Sequence, residues 1–284
     1  MATITLNLQR LYQAQREIKD HLARYKVVDC GRRFGKTLMG RDMIIHPALH
    51  GYPVGWFAPT YKLLAPEWRA LKAALAPITK DVSVQEKRIG LVTGGVVEMW
   101  SLDNEDAGRS RKYKRVFIDE AAMVRNLEAS WENAIRPTLT DYRGDAIFSS
   151  TPKGRNYFWR LFQRGGTEPD WHSWQMPTSA NPYIDPEEIE EARRELPERT
   201  FRQEYLAEFL EDGGGVFRHV GELSTLTSSA PIAGATYVGG IDWGRSNDFT
   251  VFSLFDAETR EQVALDRFNN IDYEIQMGRL RAMH

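Results

Sequence analysis

Residues 30–37 read CGRRFGKT and follow directly on the stretch KVVD, so a short strand must run into a glycine-containing loop that ends in Lys36 and Thr37. A strand, loop and helix start of this kind wraps a nucleotide's phosphates, and it constrains the fold more than any other segment. Gly35 lets backbone N–H groups approach the β-phosphate and Lys36 reaches the β and γ oxygens. The Thr37 hydroxyl ligates Mg²⁺ at a helix N-terminus whose dipole favours anions. Gly31 and Arg33 are expected to line the same phosphates. The loop departs from G-x-x-x-x-G-K-[ST] at one place, where Cys30 takes the first glycine position and Gly31 follows one residue late. With Arg32, Arg33 and Lys36 nearby, Cys30 is expected either to have a lowered thiol pKa and react readily, or to lie under the sheet as a small core residue.

Two further segments have the same form. At 116–120, VFIDE is a short apolar run suited to a buried parallel strand and ends in adjacent carboxylates. Asp119 is expected to hold Mg²⁺ through water, and Glu120 to orient and deprotonate the water that attacks the γ-phosphate. At 146–159, AIFSSTPKGRNYFW gives a third strand ending in Ser149, Ser150 and Thr151, hydroxyls that can sense a γ-phosphate. Phosphate loop, acid pair and hydroxyl triplet in this order describe an ATPase that turns hydrolysis into movement, since a kinase would need an acceptor site.

Along the chain, a helix is expected from about Leu8 to Tyr25, a strand at 26–29, and a helix from the phosphate loop to Pro47. Strands follow at 56–61 and 96–102, with a helix at 66–76 between them. Such alternation predicts a mostly parallel sheet with helices on both faces. The stretch after Pro186 reads as helical and as a small lid. The GGG at 213–215 and SSAPIAGA at 228–235 mark a linker, because glycine, serine and proline oppose regular structure.

The 284 residues are 42% hydrophobic and 27% charged, enough for one sizeable core and part of a second. No apolar run approaches the ~20 residues of a membrane span, the N-terminus lacks signal-peptide form, and a single cysteine excludes an intrachain disulfide. These features predict a soluble intracellular protein with no membrane partner. Net charge is −2, but cations are local: RSRKYKR at 109–115 holds five, and Lys153, Arg155, Arg160 and Arg164 form a second set. Both sets are candidates for nonspecific phosphate-backbone contacts, or else solvated charged faces.

CGRRFGKT, VFIDEAAM and SSTPKGRNYFW, followed by TSANPYID at 178–185 and FRQEYLAEFL at 201–210, together resemble the large terminase subunit of tailed bacteriophages and prophages, the motor that packages DNA into procapsids. The resemblance implies a P-loop ATPase core at 1–176, a lid subdomain at 177–212, a linker at 213–235 and, at 236–284, the start of a ribonuclease H-like nuclease. By the same resemblance Gln15 reads the adenine edge and Arg32 lies close to the γ-phosphate. Arg109, eleven before Glu120, falls where the family places an arginine finger donated to the neighbouring subunit, a role that Arg111 or Arg115 could also fill. ATP with Mg²⁺ is the implied substrate and cofactor of the motor, and Mg²⁺ or Mn²⁺ of the nuclease.

VGGIDWGRSNDFTVFSLFD at 238–256 looks like the first hairpin of that nuclease. Asp242, set mid-strand among apolar neighbours, matches the family's first catalytic acid and would hold the metal ions against the scissile phosphate. Asp248 in the next turn is a weaker candidate, and Asp266 is the later acid best placed to help. The family's other metal-binding acids lie on later elements, so the nuclease site is expected to be incomplete in this chain. Implied partners are double-stranded DNA, a portal ring and a small terminase subunit. The chain is expected to be monomeric alone, and on the portal to join a ring of copies, in the bacterial host's cytoplasm and not in the mature virion. Two other readings are a helicase-like or repair ATPase and a nucleotide-gated module that docks on a portal.

Overall fold

The structure, a computed structural model, describes residues 6, 8–210, 232, 234–244, 248–269 and 271–282, and the chain divides into two units, 1–214 and 215–284. The expected linker at 213–235 falls almost wholly outside the described residues.

The first unit is built on an eight-stranded sheet, ordered β3-β4-β5-β2-β6-β7-β1-β8. Its strands are β1 (Tyr25–Cys30), β2 (Pro53–Ala58), β3 (Thr79–Ser83), β4 (Arg88–Leu91), β5 (Val96–Ser101), β6 (Arg115–Asp119), β7 (Asp145–Ser150) and β8 (Trp171–Met176). From β5 to β8 every neighbouring pair is parallel, while β4 runs antiparallel to β5, and β3 to β4. The expected fold class, a mostly parallel α/β sheet, is therefore found, with an antiparallel hairpin added at one edge.

Alternation along the strands feeds two cores. Val28 and Cys30 face helices α2 (Lys36–Leu49) and α3 (Tyr61–Leu75), which contribute Met39, Met43, Ile44, Trp68 and Leu71. Val27 and Phe148 face the opposite layer, where α4 (Leu127–Ala129) continues through a wide turn at Ser130–Ile135 and a tight one at Arg136–Leu139 beside α5 (Tyr157–Arg164). Each buried Leu or Phe contributes roughly 1.5–3 kcal/mol.

Several element boundaries differ from expectation. The first helix, α1, spans only Gln13–Asp20. Its C-terminal carbonyls at Ile18 and Lys19 both accept from the buried Lys26 ammonium at 2.8 Å, so the chain turns there and enters β1. The strand expected at 56–61 ends at Ala58, because Pro59 stops it and Thr60 caps α3 by accepting from Leu63 N–H, so that α3 begins at Tyr61, five residues before the expected helix start. After β8 come α6 (Pro186–Glu195), capped by Asp185, and α7 (Glu198–Glu204).

The second unit is an antiparallel sheet, β11-β10-β9, of β9 (Tyr237–Asp242), β10 (Thr250–Asp256) and β11 (Gln262–Phe268), followed by α8 (Tyr273–Ala282). Asp242 is the last residue of β9 and exposed, not mid-strand among buried neighbours. In register, Asp242 lies opposite Val251, whereas Asp266 lies opposite Phe252. Because side chains alternate, the two acids point to opposite faces and cannot share a metal. Asp266 is instead bound by Arg279 of α8 at 2.7 and 3.0 Å, and Asp248 is exposed. Among the described residues no group of three or more His, Cys, Asp or Glu could hold a metal ion, and no helix is long and apolar enough to cross a membrane.

Candidate active site

The sheet order puts β7 between the strand that ends in the acid pair and the strand that leads into the phosphate loop. Ser149 is aligned with Asp119, and Ser150 with Asp29. The three strand-end motifs therefore meet at one carboxyl edge, where ligands of parallel sheets bind.

Lys36, buried at the start of α2, donates from Nζ to Thr151 Oγ1 at 2.8 Å and stands 3.7 Å from Glu120 Oε1. Ser150 Oγ lies 3.3 Å from Glu120 Oε2 and donates to Thr151 O at 2.8 Å. Glu120 is held at φ 48°, a left-handed conformation that costs a non-glycine residue about 1–2 kcal/mol and is characteristic of functional sites. Asp119 is buried and accepts the Glu120 N–H at 3.1 Å. Burial first, then the adjacent Glu120, pushes its carboxyl up to about 7, with Lys36 opposing. Beside it Ser149 Oγ is buried with no oxygen or nitrogen partner among the described residues, and Thr37 follows Lys36 in the first turn of α2. A hydroxyl and a carboxylate at a phosphate-binding edge are the donor set that Mg²⁺ takes together with phosphate oxygens and water.

The loop itself is shaped by close approaches. Gly35 has φ 88°, and a Cβ there would lie 2.7 Å from Gln15 Nε2. At Gly31 a Cβ would meet Thr178 Oγ1 and Tyr205 O, each at 2.6 Å. Gly31 is thus required by the segment packed behind the loop, a reason not visible in the motif. Arg33 is also left-handed, at φ 64°.

Four residues singled out from the sequence sit differently from expectation. Gln15, carried over as the adenine reader, is buried, and its Nε2 donates to Phe34 O and Gly35 O at 3.2 Å each, so its amide is committed to the loop. The exposed Arg32 pairs with Glu204 at 2.5 Å rather than standing free for phosphate. Cys30 is fully buried, and desolvation pushes its thiol well up despite Lys36, which overturns the reactive alternative and leaves the core one. Arg115 is bound in a fork to Asp145 at 2.5 and 2.8 Å and donates to Met43 O, which removes it as a finger candidate.

Most of the remaining basic residues are also paired. Arg109 meets Asp106 at 2.7 Å with its side chain 62% exposed, Arg111 is 3.6 Å from Glu98, and Lys112 is 2.7 Å from Asp141. Arg160 and Arg164 pair with Glu128 and Glu168. The expected basic faces are therefore largely compensated in this state, by surface pairs worth little each.

Two residues escaped the sequence reading. Asp29, next to Cys30, is fully buried with neither carboxylate oxygen partnered among the described residues, and burial pushes it up to about 9. Its position at the end of an apolar strand was the available signal. Asn181, within TSANPYID, donates to Arg33 O at 2.6 Å.

Residues 29–220 match the family described as terminase large subunit, T4likevirus-type, N-terminal. Over 210 residues the chain is 33% identical to the terminase large subunit of Thermus virus P23-45, covering 64% of this chain and 42% of that protein. Over 209 residues it is 29% identical to the terminase large subunit of Escherichia phage T5, covering 70% of this chain and 47% of that one. The structure also superposes on the large terminase ATPase domain of Thermus phage P74-26, with a TM-score of 0.60, 25% identity and coverage of 71% of this chain and 94% of that domain. The chain spans less than half the length of the curated relatives it matches. With its three strand-end motifs gathered at one sheet edge and this match over 29–220, the chain belongs to the terminase large subunit family, of which it carries the N-terminal domain.

Proposed function

We propose that this chain hydrolyses ATP to drive double-stranded DNA into a procapsid. The observation that carries the reading is the convergence of Lys36, Asp119, Glu120, Ser150 and Thr151 on one sheet edge behind a glycine loop. Glu120 takes the proton of the water that attacks the γ-phosphoryl group, with Ser150 Oγ 3.3 Å from that carboxylate. Lys36 exchanges Thr151 and Glu120 for phosphate oxygens when nucleotide enters. The end of β7 then loses a ligand, which links nucleotide state to strand-end geometry. Thr37 and Asp119 would hold Mg²⁺, which supplies charge neutralisation of the β and γ oxygens. The described residues of the second unit do not assemble a two-metal site, and no nuclease step is assigned to Asp242.

Partners on this reading are DNA, a portal ring, a small terminase subunit and further copies of the chain. Steady-state ATPase with and without long double-stranded DNA tests it: turnover should rise with DNA, without strand separation. Separation of the strands would point to a helicase, and negligible turnover to a docking module.

Of the three finger candidates, Arg109 has the most exposed side chain, at 62% against 46% for Arg111 and 20% for Arg115. Mixing Arg109→Ala subunits with Glu120→Gln subunits should restore part of the activity each lacks alone, because one interface in the mixture has both groups. Activity that is independent of protein concentration and shows no rescue on mixing would count against a finger in trans.

A further inference from the structure

The backbone of the phosphate loop can be accounted for group by group. Arg32 O accepts from Thr178 Oγ1 at 2.8 Å, Arg33 O from Asn181 Nδ2 at 2.6 Å, and Phe34 O from Tyr12 OH at 2.5 Å and from Gln15. Gly35 O accepts from Gln15 and from Met39 N–H. The carbonyls are thus drawn outward by residues behind the loop. Phe34 N–H donates to Gly31 O at 3.4 Å, whereas the amides of Arg33 and Gly35, with those of Lys36 and Thr37 at the start of α2, have no acceptor among the described residues. Gly35, Lys36 and Thr37 are consecutive, and consecutive free N–H groups are what an anion-binding nest is made of.

One of these outer bonds falls where the loop is under strain. Arg33 is a non-glycine residue at φ 64°, in a region such residues seldom occupy. The amide that holds its carbonyl is oriented without ambiguity. Asn181 Oδ1 accepts from Tyr183 N–H at 3.0 Å, closing a turn of the Asx type, so that Nδ2 is the atom presented to Arg33 O.

We propose that Asn181 is a positioning residue for nucleotide binding, holding Arg33 in its left-handed conformation so that the Arg33 and Gly35 amides face the phosphates. This rests on the nucleotide reading above and adds to it a residue from the segment behind the loop. Asn181 does not touch the nucleotide; it acts through the Arg33 backbone. Glycine adopts φ near +64° without steric cost, so the need for Asn181 should largely disappear once position 33 no longer resists that conformation.

The test is a titration of the full chain with Mg²⁺ and the non-hydrolysable analogue adenosine 5′-(β,γ-imido)triphosphate, alongside thermal melts. Asn181→Ala should weaken binding about tenfold, and Asn181→Asp, which keeps the turn to Tyr183 but has no donor, at least as much. In the Arg33→Gly background the cost of Asn181→Ala should fall below about threefold. Equal weakening in both backgrounds would overturn the proposal, as would a lower melting temperature with unchanged affinity. If the unaltered chain failed to bind the analogue, the nucleotide reading itself would be overturned and this proposal with it. Binding by the unaltered chain with no loss on either Asn181 substitution would sink the proposal alone.

Discussion

Glu120→Gln should lower the ATP turnover number by about 10²–10⁴-fold while nucleotide affinity stays within a few-fold, since a general base contributes that much and an amide cannot take up the proton. The geometry makes this a clean substitution. Glu120 Oε2 lies against Ser150 Oγ at 3.3 Å, a contact that a glutamine oxygen reproduces, and the left-handed backbone at φ 48° is unaffected by an isosteric side chain. What is lost is the negative charge 3.7 Å from Lys36. Losing that charge frees Lys36 for phosphate, so binding should hold or tighten slightly as hydrolysis stops. Single-turnover hydrolysis and equilibrium binding on the same preparation separate the two quantities. Retention of more than a tenth of the normal turnover would mean that another group accepts the proton.

The three strand ends were legible because their chemistry is local. KVVD, VFID and AIFS are short, largely apolar runs suited to a buried parallel strand, and the residues that act lie at or just after their ends. Their meeting at one edge is not local, because it depends on β7 lying between β6 and β1, a pairing set by contacts across the whole unit. The same limit explains the misplaced details. Cations around Cys30 argue for a reactive thiol only if water reaches it, and alternation along β1 sends its side chain into the core, where desolvation outweighs Lys36. Likewise, the family resemblance implies adenine recognition by Gln15, but the fold brings α1 close enough for Gln15 to spend its amide on Phe34 O and Gly35 O. In the second unit the pattern of TVFSLF reads correctly as a strand, whereas the opposite facing of Asp242 and Asp266 follows from strand register, which the pattern does not specify.

The same desolvation argument gives Asp29 the largest expected effect on stability. Its carboxyl is fully buried on β1 with no partner for either oxygen among the described residues, and the charge of Lys36 does not offset the burial, which pushes it up to about 9 in the folded chain. In the unfolded chain it titrates near the ordinary 3.8. Between those values the folded state keeps a proton that the unfolded state has released, so the folded state binds more protons and stability falls as pH rises from about 4 to about 9. An asparagine there cannot ionise in either state and escapes this loss. Asp29→Asn should therefore stabilise the chain by an amount that vanishes near pH 4 and reaches on the order of 4 kcal/mol at pH 7, at about 1.4 kcal/mol per pH unit. For a unit of this size that corresponds to a rise in melting temperature of roughly 8 °C or more. Thermal melts of both proteins across pH 5–8 measure the difference directly. A gap that stayed constant with pH would show that Asp29 is ionised in the folded chain, and that a partner compensates its charge beneath the phosphate loop.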